Sequence, residues 1–203
     1  MGYMNKIEVC SQQILSFDAD YQLTKKIYQQ VLNEDWRNNG KNNYRSVNSF
    51  LHKKDEYKQL IQWFEQCLLY VKDYHHYAIN GKFGITQCWA NKTIKNGFFH
   101  CHVHSNSLLS GVFYLTKSAP TYFNTHSVWD LPLLQRNASR QPVKGIVQSS
   151  PGKLLIFPSS LYHGVDLIDD DKDRYSMSFN TFIQGSIGDE IDLDLVRLDV
   201  VDT

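Results

Sequence analysis

The feature that most constrains this chain is a change of period at residue 83. From there to about residue 183 it breaks into short runs rich in aromatic and β-branched residues: "FGITQCWAN", "GFFHCHVHS", "SGVFYLT", "KGIVQ", "KLLIFP", "LYHGVDLI" and "RYSMSFNTFI". Gly, Pro, Ser or Asp separates each run from the next, as turns require. Before residue 83, apolar residues recur every three or four positions. Leu23, Ile27, Val31 and Leu32 would share one face of a helix capped by Asp18 or Asp20. After the breaker Asn38-Asn39-Gly40, a second helix would gather Leu60, Trp63, Phe64, Cys67, Leu68 and Val71, with His75 and His76 as structural residues at its end. Two helices followed by seven or eight strands predict an antiparallel sandwich or jelly roll with the helices packed on one sheet.

A chain of 203 residues is long enough for one core. The expectation is a single domain over 1–203: a helical part to about residue 80, a strand core over about 83–183, and a tail from 184 to 203. In the tail, "DEIDLDLVRLDV" alternates and would add an edge strand, while "DDDKD" at 169–173 reads as a solvated hairpin loop. Twenty-one Lys and Arg balance twenty-one Asp and Glu, which argues against nucleic acid or an anionic membrane surface as main partner. Apolar runs such as "LLIF" are far too short for a membrane span, and the first residues lack the apolar centre of a signal peptide. A cytoplasmic, reducing location is expected. There the four scattered cysteines (Cys10, Cys67, Cys88, Cys101) are free thiols, and the sequons at Asn91 and Asn137 are chance matches.

Three of the eight histidines lie at 100, 102 and 104. In an extended strand they would share one face, with Phe99, Cys101 and Val103 on the other. Two imidazoles at i and i+2 can reach one ion about 2 Å from each, whereas neutral imidazoles buried without partners would forfeit hydrogen bonds. A further histidine, His163, follows the strand that ends at Pro158. Eleven residues on, "RYSMSFN" places Arg174, Ser176, Ser178 and Asn180 on one face and Tyr175, Met177 and Phe179 on the other. An Arg with a Ser two residues away offers a fork and a hydroxyl suited to a carboxylate.

Taken together, "WAN" (89–91), "HVHSNSLLSGVFYL" (102–115), "PGKLLIFPSSLYHGV" (151–165) and "RYSMSFN" (174–180) resemble the iron(II)- and 2-oxoglutarate-dependent oxygenases. More narrowly they resemble a small group of such proteins from marine bacteria and phages. The resemblance covers about residues 83–183. It implies a mainly β (α+β) chain with a double-stranded β-helix (jelly-roll, cupin-like). It also implies a dioxygenase using Fe(II), 2-oxoglutarate and O2 to couple oxidative decarboxylation to hydroxylation, in the cytoplasm of a bacterium or a phage-infected cell. His102, His104 and His163 would hold the metal. Arg174 and Ser176 would hold the far carboxylate of 2-oxoglutarate, with Tyr114 adding a hydroxyl; Asn180 and Asn91 would line the pocket, and Trp89, Phe98 and Phe113 could wall it.

Two departures accompany this. The wider superfamily has a carboxylate where this chain has His104, so His100 competes for the third place, as a ligand through the 100/102 pair or as a support behind the ligands. Residues 116–130, "TKSAPTYFNTHSVWD", differ from the group's usual segment, and His126 or Asp130 could contribute to substrate recognition there. A three-histidine cupin dioxygenase without 2-oxoglutarate, or a non-catalytic metal- or sugar-binding module, would explain the histidines but not Arg174 with Ser176. The prime substrate, whether small molecule or protein side chain, and the oligomeric state are not legible.

Overall fold

The computed structural model describes residues 13–124, 144–169, 171–188 and 195–198. Strand β1 (Leu15–Asp18) leads into helix α1 (Tyr21–Leu32), capped by Asp20, whose carboxylate accepts from the N–H groups of Gln22 and Leu23 at 2.8 and 3.2 Å. The helix buries Leu23, Ile27 and Val31. Leu32, expected on the same face, is exposed, because it stands about 100° around the axis from Val31. Strands β2 (Trp36–Asn38) and β3 (Asn43–Ser46) form a hairpin around Gly40, whose φ of 131° suits glycine. Two 3₁₀ turns, Leu51–Lys53 and Asp55–Tyr57, precede helix α2 (Lys58–Tyr74). His75 closes that helix through its backbone, and His76 follows at φ 52°; both are exposed.

Nine further strands follow: β4 (Ile79–Thr93), β5 (Phe99–His102), β6 (Leu109–Tyr114), β7 (Thr121–Asn124), β8 (Lys144–Val147), β9 (Lys153–Pro158), β10 (Tyr162–Val165), β11 (Arg174–Ile187) and β12 (Val196–Leu198). The major sheet has the order β1-β9-β6-β11-β4-β3-β2, with β12 also pairing β11 as an edge; the minor sheet has the order β5-β10-β7-β8. Every pairing between these strands is antiparallel. The helices cover the outer face of the major sheet, where Phe64 of α2 meets Phe113 and Phe179 with ring centroids 5.7 and 4.8 Å apart. A smaller apolar cluster of Val112, Tyr114, Phe123, Leu155 and Phe157 lies elsewhere in the fold. The expected mainly β architecture with helices on one sheet is therefore present.

Three expectations need correction. The first third is not purely helical: β1, β2 and β3 come from it and extend the major sheet at both ends, being too short to display a period of two. From residue 79 onward the described residues hold nine strands: the seven runs legible in the sequence, the tail strand β12 and the unexpected β7. The acidic segment at 169–173 does not join a hairpin, because β10 and β11 lie in different sheets; its Asp171 and Asp173 instead pair with Lys95 and Lys92 at 2.7 and 3.5 Å. Of the cysteines, Cys67, Cys88 and Cys101 are free thiols, and Cys10 lies outside the described residues.

Candidate functional site

Between the sheets lies a cavity of about 240 Å³. Its floor is a block of the major sheet fixed by register. Ser176 pairs with Asn91 on one side and Tyr114 on the other, Ser178 with Trp89 and Val112, and Asn180 with Gln87 and Ser110. Because side chains alternate along a strand, β11 sends Arg174, Ser176, Ser178 and Asn180 into the cavity and Tyr175, Met177 and Phe179 into the helix-covered core. The minor sheet supplies the opposite wall, including His102, Thr121 and His163.

His102 and His163 stand directly across from each other on β5 and β10. Two residues farther along β10, Val165 pairs with Phe99, three residues before His102, so β5 carries an irregularity between them. The row of three imidazoles expected from spacing is broken there. Phe99 lines the cavity, while His100 is exposed and outside the cluster; its backbone carbonyl accepts from His102 Nδ1 at 2.9 Å. His104 lies beyond the end of β5, held by its backbone N–H donating to the Ser159 carbonyl at 2.9 Å. The result is a compact cluster: one ring nitrogen each from His102, His104 and His163 lies within 4.8 Å of the others.

The ring hydrogen bonds fix which nitrogens face inward. His102 Nδ1 bonds the His100 carbonyl and His163 Nδ1 the Leu161 carbonyl at 2.8 Å. Each Nδ1 therefore carries the proton, and each Nε2 presents a lone pair. His102 Nε2 and His104 Nε2 are 3.1 Å apart. Two nitrogens each about 2 Å from one ion would sit at about that separation. Burial pushes all three imidazoles below their ordinary range, His163 to about 3 and His104 to about 4, with the neighbouring imidazoles adding to it. They are neutral, converging and without a carboxylate among them: a donor set suited to a cation.

The other end of the cavity is built for an anion. Arg174 is 3 % exposed. Its Nε donates to the Ala119 carbonyl at 3.2 Å, Nη1 to Ser176 Oγ at 3.1 Å, and Nη2 to Thr121 Oγ1 at 3.1 Å. A guanidinium carries five N–H donors, so these do not exhaust it. Among the described residues Arg174 has no ion-pair partner, and burial lowers its affinity for a proton. A buried unpaired charge is costly and is relieved by a counter-ion.

Tyr114 is fully buried beside Arg174 and donates its hydroxyl to Thr121 Oγ1 at 2.7 Å, so Thr121 is the hydroxyl at the cavity wall. Thr121 is not legible in the sequence because the four residues of β7 are too few to show a strand period. Asn180 hydrogen-bonds His104 and accepts from Ser110 Oγ, which joins a buried chain through Ser159 to Ser107. Trp89 lines the cavity, stacks on His104 with ring centroids 5.8 Å apart, and donates to Asn91 Oδ1 at 3.0 Å. Asn91 in turn donates to Ser178 Oγ. Phe98 is exposed and Phe113 belongs to the helix-side core, so neither walls the cavity. His126 and Asp130 lie outside the described residues.

The fold is a double-stranded β-helix, with the clustered histidines and the buried arginine lining one cavity between its sheets. Residues 87–180 match the family described as "Putative 2OG-Fe(II) oxygenase". No curated protein matches in sequence. Among solved structures, the chain is similar to HygX from Streptomyces hygroscopicus, crystallised with nickel, 2-oxoglutarate and hygromycin B. The identity is 14 %, the TM-score 0.66, and the match covers 84 % of this chain and 82 % of that one. It is also similar to a Pseudomonas putida prolyl-4-hydroxylase (12 % identity, TM-score 0.60, covering 86 % and 94 %). A third similar structure is the α-ketoglutarate-dependent epimerase SnoN of nogalamycin biosynthesis (11 %, 0.65, 87 % and 81 %). At these identities the likeness is one of fold. No helix among the described residues is long and apolar enough to cross a membrane.

Proposed function

We propose that this protein is an iron(II)- and 2-oxoglutarate-dependent hydroxylase in which His102, His104 and His163 hold the metal and Arg174 with Ser176 holds the far carboxylate of the co-substrate. The observation that carries the reading is one cavity with three neutral imidazoles at one part and a buried, acid-free guanidinium at another. The chemistry such a centre supplies when loaded is the oxidative decarboxylation of 2-oxoglutarate to succinate and carbon dioxide, coupled to oxidation of a second substrate.

The chain's own residues do the placing. The His100 and Leu161 carbonyls hold the Nδ1 protons of His102 and His163, leaving Nε2 free to bind. Asn180 steadies His104. Arg174, braced by Thr121 and Ala119, presents donors without needing to reorganise, and Tyr114 braces Thr121 from behind. Trp89 and Phe157 line the cavity with apolar surface that limits water. Three neutral ligands leave the metal more positive than a set containing a carboxylate would. A three-histidine dioxygenase without 2-oxoglutarate would share the imidazoles and would have no use for Arg174. Hydroxylation is the outcome proposed for the second substrate, although the fold also serves an epimerase.

The test is succinate formation from 2-oxoglutarate with iron(II) and oxygen. It is expected from the native chain and not from His102→Ala or His163→Ala, with circular dichroism confirming that both variants fold. Metal binding without any succinate would overturn the 2-oxoglutarate reading.

A further inference from the structure

The cavity is lined by a second guanidinium besides that of Arg174. Arg45 lines it from β3, outside the family-matched segment. Its Nη2 donates to Ser49 Oγ at 2.8 Å, and its guanidinium carbon lies 4.9 Å from the Trp89 ring centroid. That indole is the one stacked on His104, so a single ring separates Arg45 from the imidazole cluster.

Three features leave Arg45 short of a partner. Its Nε is buried with no hydrogen-bond acceptor among the described residues. It has no ion pair there, and none of the residues lining the cavity is Asp or Glu. Directly across the β2–β3 hairpin stands Arg37, and like charges facing each other across strands are destabilising. Burial and Arg37 both disfavour the charged form of Arg45. An arginine that lines a cavity while partly desolvated and facing another arginine is stabilised by an anion. That anion is not the co-substrate carboxylate on Arg174. Arg45 pairs with Asn91, which pairs with Ser176, so two strand spacings, about 10 Å, separate the Arg45 and Ser176 backbones.

We infer that the second substrate carries an anionic oxygen group, a carboxylate or a phosphate ester, and that Arg45 seats this group on the far side of Trp89 from β11. The inference rests on the oxygenase reading, because it takes Arg174 as occupied by 2-oxoglutarate. Arg45 is a specificity-determining residue: it selects which molecules enter and holds them beside the imidazole cluster.

The test is NMR of the arginine Nε–H groups in the full chain loaded with zinc, a diamagnetic stand-in, and 2-oxoglutarate. Arg45→Lys, which lacks this group, assigns the Arg45 signal. Adding 2-oxoglutarate should move the Arg174 signal and leave that of Arg45. Adding acetate or methyl phosphate afterwards should move the Arg45 signal saturably, and the tighter of the two identifies the group. Arg45→Gln should bind that anion about tenfold or more weakly, while Arg45→Lys keeps part of the affinity. An Arg45 signal unmoved by either anion, or equal affinity in all three proteins, would overturn the inference and leave the co-substrate reading standing. Failure of Arg174 to respond to 2-oxoglutarate would overturn that reading and the inference with it.

Discussion

Strand β11 offers Tyr175, Met177 and Phe179 to the helix-covered core and Arg174, Ser176, Ser178 and Asn180 to the cavity, on alternate residues of one strand. The first face is dry and closely packed: Phe179 lies against Phe64, and a Cβ added at Gly111 would fall 2.2 Å from its ring. The second is polar and carries a charge that the described residues do not neutralise. Stability resides on one face and binding on the other, so substitutions a residue or a few apart should have separable effects.

The largest effect belongs to the core face. Phe179→Ala should cost about 3–5 kcal/mol in denaturant unfolding, while the folded fraction binds metal as the native chain does. A parallel loss of metal affinity would show that the faces are coupled. Arg174→Met should do the reverse. Loss of a charge-assisted contact worth about 1.5–3 kcal/mol lowers 2-oxoglutarate affinity by about ten- to a hundredfold. The unfolding free energy of the metal-free protein should stay within about 1 kcal/mol, because a buried charge without an acidic partner contributes little net stability. Calorimetric titration and denaturant melts read the two quantities. A large stability loss with affinity intact would make Arg174 a structural residue.

A third contrast separates the faces by pH. In the unfolded chain an imidazole takes its proton near pH 6.5, whereas in the folded metal-free protein His104 does so at about 4 and His163 at about 3. Between those values the unfolded chain holds more protons, so stability rises with pH. It is fully present above about pH 6.5 and declines as the pH falls toward 4. With a chelator present, His163→Leu should flatten this slope in denaturation midpoints, and Phe179→Ala should lower the whole curve without flattening it. An unchanged slope in His163→Leu would mean that the cluster is more open to water than its burial indicates.

Much of this division was legible in the sequence, because a period of two states which residues share a face. The two sides of β11 could be read from "RYSMSFN" alone, as could the placement of the helices on one sheet. The strands of the first third could not. Three or four residues such as Trp36–Asn38 show no period, and their pairing depends on long-range partners. Arg45 was missed for the same reason, since nothing local indicates that β3 lies beside Asn91. Thr121 is hidden with β7, and the Tyr114 hydroxyl stands against both Thr121 and Arg174.

The smallest predicted effect tests the same lesson on the opposite wall. Strict alternation places His100 with His102 and His104, and the irregularity in β5 removes it. What His100 contributes to the cluster is a backbone carbonyl, the acceptor for His102 Nδ1, and a backbone group survives substitution of its side chain. His100→Ala should therefore change metal affinity by no more than about twofold, the range of an exposed side chain without special contacts. His104→Ala should weaken binding far more, since it removes one of three converging nitrogens. Competition with a chelator of known affinity compares them directly. Equal losses would mean that β5 runs regularly in the loaded protein and that all three imidazoles face the cavity after all.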